Sequence, residues 1–250
     1  MFFNSSFNGY ENEIQFATIL NNKKVKEIPY NFQIFLYDLF EDLTNEDIVR
    51  CIKNSEKQKY DIIIKINNTI RRISIKKGIK NSVHAEPISE FIHFLIENKM
   101  PKHLIISFLK YHYGDDTTNG KGIKRYSTLE YKKNHQEEID EINNFINQES
   151  LIRKAITRFI TLGRNSKYEI DALLYGVPDE FLWIKKDDIY NILLSKKDIY
   201  STSIHFSSLT YQPMNRCLNN NPKYEKERHI SQIKWYNLCD DIIENITNNI

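Results

Sequence analysis

The sequence predicts an α/β fold, in which helices flank a central mixed sheet and a strand-rich part follows toward the C-terminus. Residues 60–78 read as two strands rich in β-branched side chains, joined by Asn67-Asn68, as in a hairpin. Amphipathic patterns at 9–21 and 87–98 indicate helices that cover one face of the sheet. Residues 201–235 are again strand-like and rich in hydrogen-bonding side chains. The 60–78 hairpin is the segment around which we arrange the rest of the chain.

Composition and cysteine spacing exclude some classes of protein. With 250 residues, 40% of them hydrophobic and 27% charged, the chain suits a large globular domain. No window holds the ~20 apolar residues of a membrane span. The N-terminus lacks the cationic and apolar regions of a secretory signal, so we expect no membrane partner. Cys51, Cys217 and Cys239 form no C-x-x-C pair, which argues against a zinc ribbon and for a reducing cytoplasm.

Periodicity and capping predict the elements before the hairpin. Residues 9–21 and 30–40 carry apolar side chains at helical spacing, so each should form a helix. Thr44 and Asp47 stand at capping-box spacing ahead of the apolar run at 48–52. This arrangement predicts a short third helix that leads into the hairpin.

Capping residues and turn signals predict the elements after the hairpin. Ser127 and Glu130 form a capping box that opens a polar helix reaching about residue 147. Residues 114–126 hold three glycines among polar side chains, which indicates a loop. Further helices are predicted at 87–98, 101–113, 151–162 and 237–246, and a strand at 169–176.

The hairpin brings three polar side chains to one face. If Asn67 and Asn68 form its two-residue loop, Asp61 lies opposite Ser74. Because side chains alternate along a strand, Ser74 and Lys76 point to the same side as Asp61. The other face carries Ile62, Ile64, Ile66, Ile73 and Ile75. A carboxylate, a hydroxyl and an ammonium therefore converge above an apolar face.

A carboxylate and a lysine held close on a rigid hairpin suit metal-dependent phosphodiester hydrolysis. The carboxylate of Asp61 can bind a hard divalent cation such as Mg²⁺. The ammonium of Lys76 can orient or deprotonate the attacking water and balance phosphate charge. The other interpretation is that Lys76 is a solvated lysine of an edge strand and Asp61 a polar residue at the start of a strand.

Asp61 followed by Ser74-Ile75-Lys76 resembles the Asp…(Asp/Glu)-x-Lys signature of the restriction-endonuclease-like nucleases. Tyr60 replaces the usual proline, and Ser74 replaces the usual second acidic residue. The resemblance implies a central mixed sheet flanked by helices and a Mg²⁺-dependent type II deoxyribonuclease acting on double-stranded DNA. It also implies a homodimer as one arrangement and a cognate DNA methyltransferase without physical association. The C-terminal part is loosely similar to that of small MspI-type restriction enzymes.

The resemblance also suggests where a second metal carboxylate could come from. Some members with a non-acidic residue at the position of Ser74 take the missing carboxylate from a nearby helix, and Glu86 is the candidate here. Glu86 could instead cap the helix that Pro87 opens. In this superfamily a glutamate of the first helix often completes the metal site, which points to Glu13, with Glu11 as the alternative.

Basic and amide-bearing side chains outside the hairpin are candidate DNA contacts. The loop after the hairpin could hold the scissile phosphate, and 114–126 is either an arm that orders on DNA or a plain surface loop. Arg153, Lys154, Arg158 and Arg164 form a basic cluster or a solvated face. Arg, Asn and Gln side chains of the strand-rich part can contact base edges. The candidates are Lys80, Asn81, Ser82, His84, Lys121, Lys124, Arg125, Arg158, Arg164, Gln212, Asn215, Arg216, Gln232 and Lys234.

These assignments predict a division of labour along the chain. Residues 1–113 would form the catalytic core and 114–250 the DNA-recognition part, packed together as one domain. Asp171 with Lys185 or Lys234 is a competing acid-and-lysine pattern, but neither pair spans a short hairpin. A repair or nucleic-acid-processing nuclease of the same fold and a non-catalytic DNA-binding protein remain the alternative functions. No P-loop, dinucleotide-binding or hydrolase-elbow motif is present.

Overall fold

The computed structural model describes residues 8–78, 82–123, 125–214 and 224–248. The helices are α1 Gly9–Leu20, α2 Tyr30–Leu39, α3 Ile88–Glu97, α4 Lys102–Tyr113, α5 Thr128–Ile146, α6 Glu149–Ile156, α7 Lys186–Ser195 and α8 Leu238–Asn248. The strands are β1 Lys23–Lys24, β2 Ile48–Lys53, β3 Ile62–Ile66, β4 Thr69–Lys76, β5 Ser82–Pro87, β6 Ala172–Val177, β7 Glu180–Lys185, β8 His205–Phe206, β9 Leu209–Pro213 and β10 Ile230–Lys234. Among the described residues, no helix is long and apolar enough to cross a membrane.

The chain divides into two compact units. The first comprises Met1–Asn81, Thr157–Ile192 and Asn237–Ile250, and the second comprises Ser82–Ile156 and Leu193–Tyr236. The chain therefore leaves the first unit and returns to it twice. The functional division into 1–113 and 114–250 stays a prediction.

The first unit is built on a mixed sheet of six strands in the order β1-β2-β3-β4-β6-β7. β4 and β6 run parallel, and the other neighbours are antiparallel. β6 and β7 form a short hairpin in which Ala172 pairs with Lys185, so the expectation that Asp171 and Lys185 do not span one is wrong. Helices α1 and α2 place Phe16, Phe32 and Phe35 in the core, where each ring packs against Phe181 of β7. This burial of apolar surface is the main favourable term that holds helices and sheet together.

The predicted hairpin is confirmed as β3 and β4. Ile66 pairs with Thr69 and Ile62 with Ile73, as a two-residue loop requires. Asn67 adopts a positive φ of 52°, a conformation that asparagine tolerates better than most residues. The apolar face is buried, with exposures of 0–6% at Ile62, Ile64, Ile66, Ile73 and Ile75.

The predicted short helix at 48–52 is wrong, because this segment is strand β2. The side chain of Asp47 accepts hydrogen bonds from the backbone and hydroxyl of Thr44, which closes a turn rather than opening a helix. The following residues then pair with β3, with Val49 opposite Ile66. Their β-branched side chains alternate between the core and solvent, which suits a strand.

The second unit contains an antiparallel sheet in the order β5-β10-β9-β8. The predicted strand-like character of 201–235 is thus confirmed for β8, β9 and β10. Its core includes Phe91 of α3 and Phe108 of α4, whose rings both pack on Tyr211 of β9. α3 begins at Ile88, so Glu86 is not a helix cap; it lies on β5 and pairs with Ser231.

Candidate active site

Asp61 stands directly before β3, and β4 fixes one of its two carboxylate oxygens. Its backbone N–H donates to the carbonyl of Ile73 over 2.8 Å. Its Oδ2 atom accepts from the Ser74 hydroxyl at 3.1 Å and from the Ile75 backbone N–H at 2.6 Å. Ser74 is fully buried, so its hydroxyl is held in place by the surrounding sheet. Asp61 is oriented by its neighbours on the hairpin.

Lys76 completes the group of three that the sequence predicts on this face. Its Nζ lies 3.6 Å from Asp61 Oδ2 and donates to the carbonyl of Ile75 at 3.0 Å. The two side chains are each about one-fifth exposed, at 20% and 22%. Partial shielding from water strengthens their attraction and leaves both within reach of a ligand.

Glu13 and Asp61 line the same cleft in the first unit, which has a volume of about 590 Å³. The Nζ of Lys53, at the end of β2, lies 3.0 Å from Glu13 Oε2 and 4.3 Å from the centre of the Tyr10 ring. Glu11 has a different role, because its Oε2 accepts from the Asn8 backbone N–H and caps α1. The structure therefore brings Glu13 to the cleft of Asp61.

Two carboxylates in one open cleft suit Mg²⁺ better than a metal that needs a full protein cage. No described residue donates a hydrogen bond to Asp61 Oδ1 or to Glu13 Oε1. Within the described ranges, no group of three or more His, Cys, Asp and Glu side chains converges as a metal site. Mg²⁺ commonly binds one or two carboxylates and keeps several waters. Asp61 and Glu13 fit that pattern.

Comparison with known proteins identifies the architecture. No family model matches the sequence, and no curated protein matches it either. Among solved structures, restriction endonuclease MspI in complex with its cognate DNA is similar, with a TM-score of 0.52 and 11% sequence identity. The match covers 89% of this chain and 87% of that one. The chain has a restriction-endonuclease-like fold. The predicted fold class is confirmed.

In this restriction-endonuclease-like fold, Glu86 belongs to the second unit, whereas Asp61 belongs to the first. The Glu86 side chain is only 4% exposed, and its Oε2 lies 3.4 Å from His84 Nε2. Its backbone carbonyl accepts from the Ser231 hydroxyl at 2.9 Å. A metal-binding role for Glu86 and a DNA-binding role for His84 stay predictions.

The strands of the second unit bring three predicted base-reading residues together. Gln212 of β9 and Gln232 of β10 are direct cross-strand partners. Lys234 follows Gln232 on the same face, and all three side chains are half-buried. The hydroxyl of Tyr236 donates to Gln212 Oε1 at 3.3 Å. These side chains thus form one polar row along the strand pair.

Other predicted contact residues are dispersed. Of the predicted basic cluster, Arg158 and Arg164 belong to the first unit and Arg153 and Lys154 of α6 to the second. Ser82 is exposed at the start of β5, and Lys121 is exposed in the 114–123 segment. The Arg125 guanidinium lies 3.6 Å from Glu225. The candidates outside the described residues are Lys80, Asn81, Lys124, Asn215 and Arg216.

Two residues of the cleft were not predicted as functional. Lys53 pairs with Glu13, and the backbone N–H of Asn54 donates to the Asp61 carbonyl at 2.8 Å. The side chain of Asn54 also donates to the Tyr60 carbonyl at 3.1 Å. Sequence analysis missed both residues because it predicted a helix at 48–52. Only the pairing of strand β2 with β3 places Lys53 opposite Ile62 and next to Asp61.

Proposed function

We propose that this protein is a type II restriction endonuclease that hydrolyses phosphodiester bonds of double-stranded DNA at a short specific sequence with Mg²⁺. The observation that carries the proposal is the Asp61–Lys76 pair, held 3.6 Å apart, in which Asp61 lines the same cleft as Glu13. The restriction-endonuclease-like fold supports this proposal, because the similar structure is that of restriction endonuclease MspI in complex with its cognate DNA.

In the proposed mechanism, the hairpin residues prepare the site for in-line attack on phosphorus. Asp61 and Glu13 would hold the Mg²⁺, which when bound supplies Lewis-acid polarisation of a phosphate oxygen. Lys76 holds the attacking water and balances the negative charge that develops at the phosphoryl group. The Ser74 hydroxyl and the Ile75 N–H keep the Asp61 carboxylate oriented throughout.

The second unit would supply sequence recognition. Gln212, Gln232 and Lys234 lie in one row, and amide side chains can make paired hydrogen bonds to base edges. Type II enzymes of this kind act with a cognate methyltransferase that protects host DNA, and cutting both strands favours a homodimer. We place such an enzyme in the cytoplasm, where DNA is its substrate.

A gel assay tests the proposal. Purified protein is incubated with unmethylated plasmid and phage DNA, with Mg²⁺ or with EDTA. We expect discrete bands with Mg²⁺ and intact DNA with EDTA. A smear would favour a repair or processing nuclease of the same fold. Intact DNA on every substrate, with both Mg²⁺ and Mn²⁺, would contradict nuclease function.

The alternative is a non-catalytic DNA-binding protein. The observation that favours it is Ser74 in place of the usual acid, together with the lack of a three-residue metal group among the described residues. The Asp61→Asn variant separates the two functions. The nuclease proposal predicts that D61N still binds DNA in EDTA but no longer cleaves it, whereas a DNA-binding module would show no cleavage in either form.

A further inference from the structure

The second unit contains a polar cleft of about 510 Å³ that the nuclease proposal does not use. It lies between α5 and the segment 197–201, with His205 in its wall. Two amide side chains fix that wall, Asn143 of α5 and Asn147, the residue that caps the C-terminus of α5. Asn143 donates to the Ser203 carbonyl at 3.0 Å and accepts from the His205 N–H at 3.1 Å. Asn147 donates to the His205 carbonyl at 2.9 Å, so the cleft has a rigid frame.

His205 presents a hydrogen-bond acceptor to this cleft. Its side chain is buried, with the residue 5% exposed, and burial lowers its pKa, so the ring is neutral at neutral pH. Nδ1 lies 2.7 Å from the Ser207 carbonyl, which can only accept, so Nδ1 carries the proton. Nε2 is then a lone-pair acceptor, and no described residue bonds to it. A neutral imidazole with one fixed nitrogen is suited to accept from a ligand.

The remaining lining residues favour a donor-rich planar ligand. Asp140 and Asp198 contribute two carboxylates, and Lys197 contributes one ammonium, which lies 3.8 Å from Glu149. The net negative charge of these three side chains favours amino groups and repels phosphate. Tyr200 is 73% exposed at the same cleft, so its ring is accessible for stacking.

We propose that this cleft binds a nucleobase with an exocyclic amino group, such as cytosine or adenine. The amino group donates one hydrogen to His205 Nε2 and the other to one of the two carboxylates, and the base lies against Tyr200. Phosphates stay outside the cleft. This activity goes beyond the nuclease proposal, because the cleft lies within the second unit and uses neither Asp61 nor Lys76.

The proposal is tested with cytidine and uridine, which differ in having an amino group or a carbonyl at one ring position. Each nucleoside is titrated into the full chain without Mg²⁺, and the ¹⁵N resonance of His205 Nε2 is followed by NMR. We expect cytidine to shift this resonance and to bind at least about tenfold more tightly than uridine, because uridine leaves the acceptors unpaired.

Matched variants separate the contributions. Tyr200→Ala should weaken cytidine binding about tenfold, whereas Tyr200→Phe should preserve it, since stacking needs only the ring. His205→Asn keeps a donor for the Ser207 carbonyl and removes the Nε2 acceptor, so it should reduce the preference for cytidine over uridine severalfold. Its thermal unfolding curve shows whether the fold is retained. Equal binding of the two nucleosides by the wild type, no shift at millimolar cytidine, or unchanged discrimination in H205N would overturn the proposal.

A second titration identifies the source of the base. A duplex with one unpaired cytidine is compared with the same duplex carrying an abasic site, both in EDTA. Tighter binding of the first duplex, reduced in H205N, would assign a base turned out of DNA. Equal binding of the two duplexes, with cytidine still bound, would assign a free nucleoside. A separate assay that finds no DNA cleavage would contradict the nuclease proposal only, because the binding measurements do not depend on cleavage.

Discussion

At the scale of single residues, the hydroxyl of Ser74 helps to orient the carboxylate of Asp61. A carboxylate at this position would lie close to Asp61 Oδ2, and the two charges would repel each other until a cation separated them. The serine hydroxyl instead donates to Oδ2 at 3.1 Å. Asp61 is therefore oriented before any cation binds, and no described residue donates a hydrogen bond to its Oδ1.

Ser74→Ala should slow DNA cleavage without preventing folding. The substitution removes one of two neutral donors to Asp61 Oδ2, and a hydrogen bond to a charged group is worth about 1.5–3 kcal/mol, which corresponds to a loss of about tenfold to 100-fold in rate. The Ile75 N–H still holds the carboxylate, so the loss stays partial. Single-turnover cleavage at saturating Mg²⁺ measures it. A rate equal to that of the wild type would show that the hydroxyl does not position Asp61.

Glu13→Gln should raise the Mg²⁺ concentration needed for half-maximal cleavage by roughly tenfold or more, since it removes one of two carboxylates at the cleft. Glu11→Gln is the matched control on the same helix, because Glu11 only caps α1. Mg²⁺ titrations of cleavage rate compare the two variants with the wild type. Equal Mg²⁺ requirements for E13Q and E11Q would exclude Glu13 as a metal ligand.

At the scale of elements, the 114–123 segment is held by a buried ion pair rather than left as a mobile arm. Arg228 Nη2 lies 3.3 Å from Asp115 Oδ2, and the two side chains are 2% and 0% exposed. Arg228 also donates to the Gly120 carbonyl over 2.6 Å, and Asp115 accepts from the Gly122 N–H at 3.0 Å. The loop that the sequence predicts is present, but it is bonded to Arg228, which lies in the short 3₁₀ helix Lys226–His229 that precedes β10.

Arg228→Met should lower the free energy of unfolding by about 3–5 kcal/mol, because it leaves the Asp115 carboxylate buried without its cation. Arg153→Met is the control. Arg153 pairs with Glu149 on the surface of α6, and such exposed pairs contribute about 0.5 kcal/mol or less. Urea unfolding followed by circular dichroism gives both values. Equal losses in the two variants would contradict the structural role of the buried pair.

The same carboxylate should make stability depend on pH. Burial raises the pKa of Asp115, but hydrogen bonds from Thr117, Gly122 and Arg228 outweigh it, so its pKa is lowered overall. A lowered pKa stabilises the folded state fully above the unfolded value of about 3.9, and this stabilisation is lost as pH falls through the folded value. The wild type should therefore lose stability below about pH 4 more steeply than Asp115→Asn. Parallel pH dependences would contradict this assignment.

Local patterns predicted the hairpin and most helices but not strand β2 or Lys53. The hairpin could be predicted because loop chemistry at Asn67 and side-chain alternation specify the same register. The 48–53 segment carries a capping-like spacing at its start, and only pairing with β3 shows that it is a strand. The environment of Glu13 depends on that strand. Its ion pair with Lys53 could therefore not be predicted from local sequence patterns.

At the scale of the whole molecule, the fold class could be predicted from one short motif and the elements around it. The 11% identity to MspI shows that the architecture persists where sequence similarity is low. The interleaving of the two units could not be predicted, because β4 pairs with β6 across about a hundred residues and no local pattern encodes that contact. The position of Glu86 on a strand could not be predicted for the same reason, because its strand partner Ser231 is distant in sequence.

The measurement that tests the central claim most directly compares Lys76→Ala with Lys77→Ala on the same DNA in Mg²⁺. The two lysines are neighbours in sequence, but only Lys76 lies beside Asp61 Oδ2. We predict that K77A cleaves at nearly the wild-type rate and that K76A loses at least about 100-fold in single-turnover rate while still binding DNA in EDTA. Equal cleavage by the two variants would contradict the assignment of the Asp61–Lys76 pair as the catalytic site.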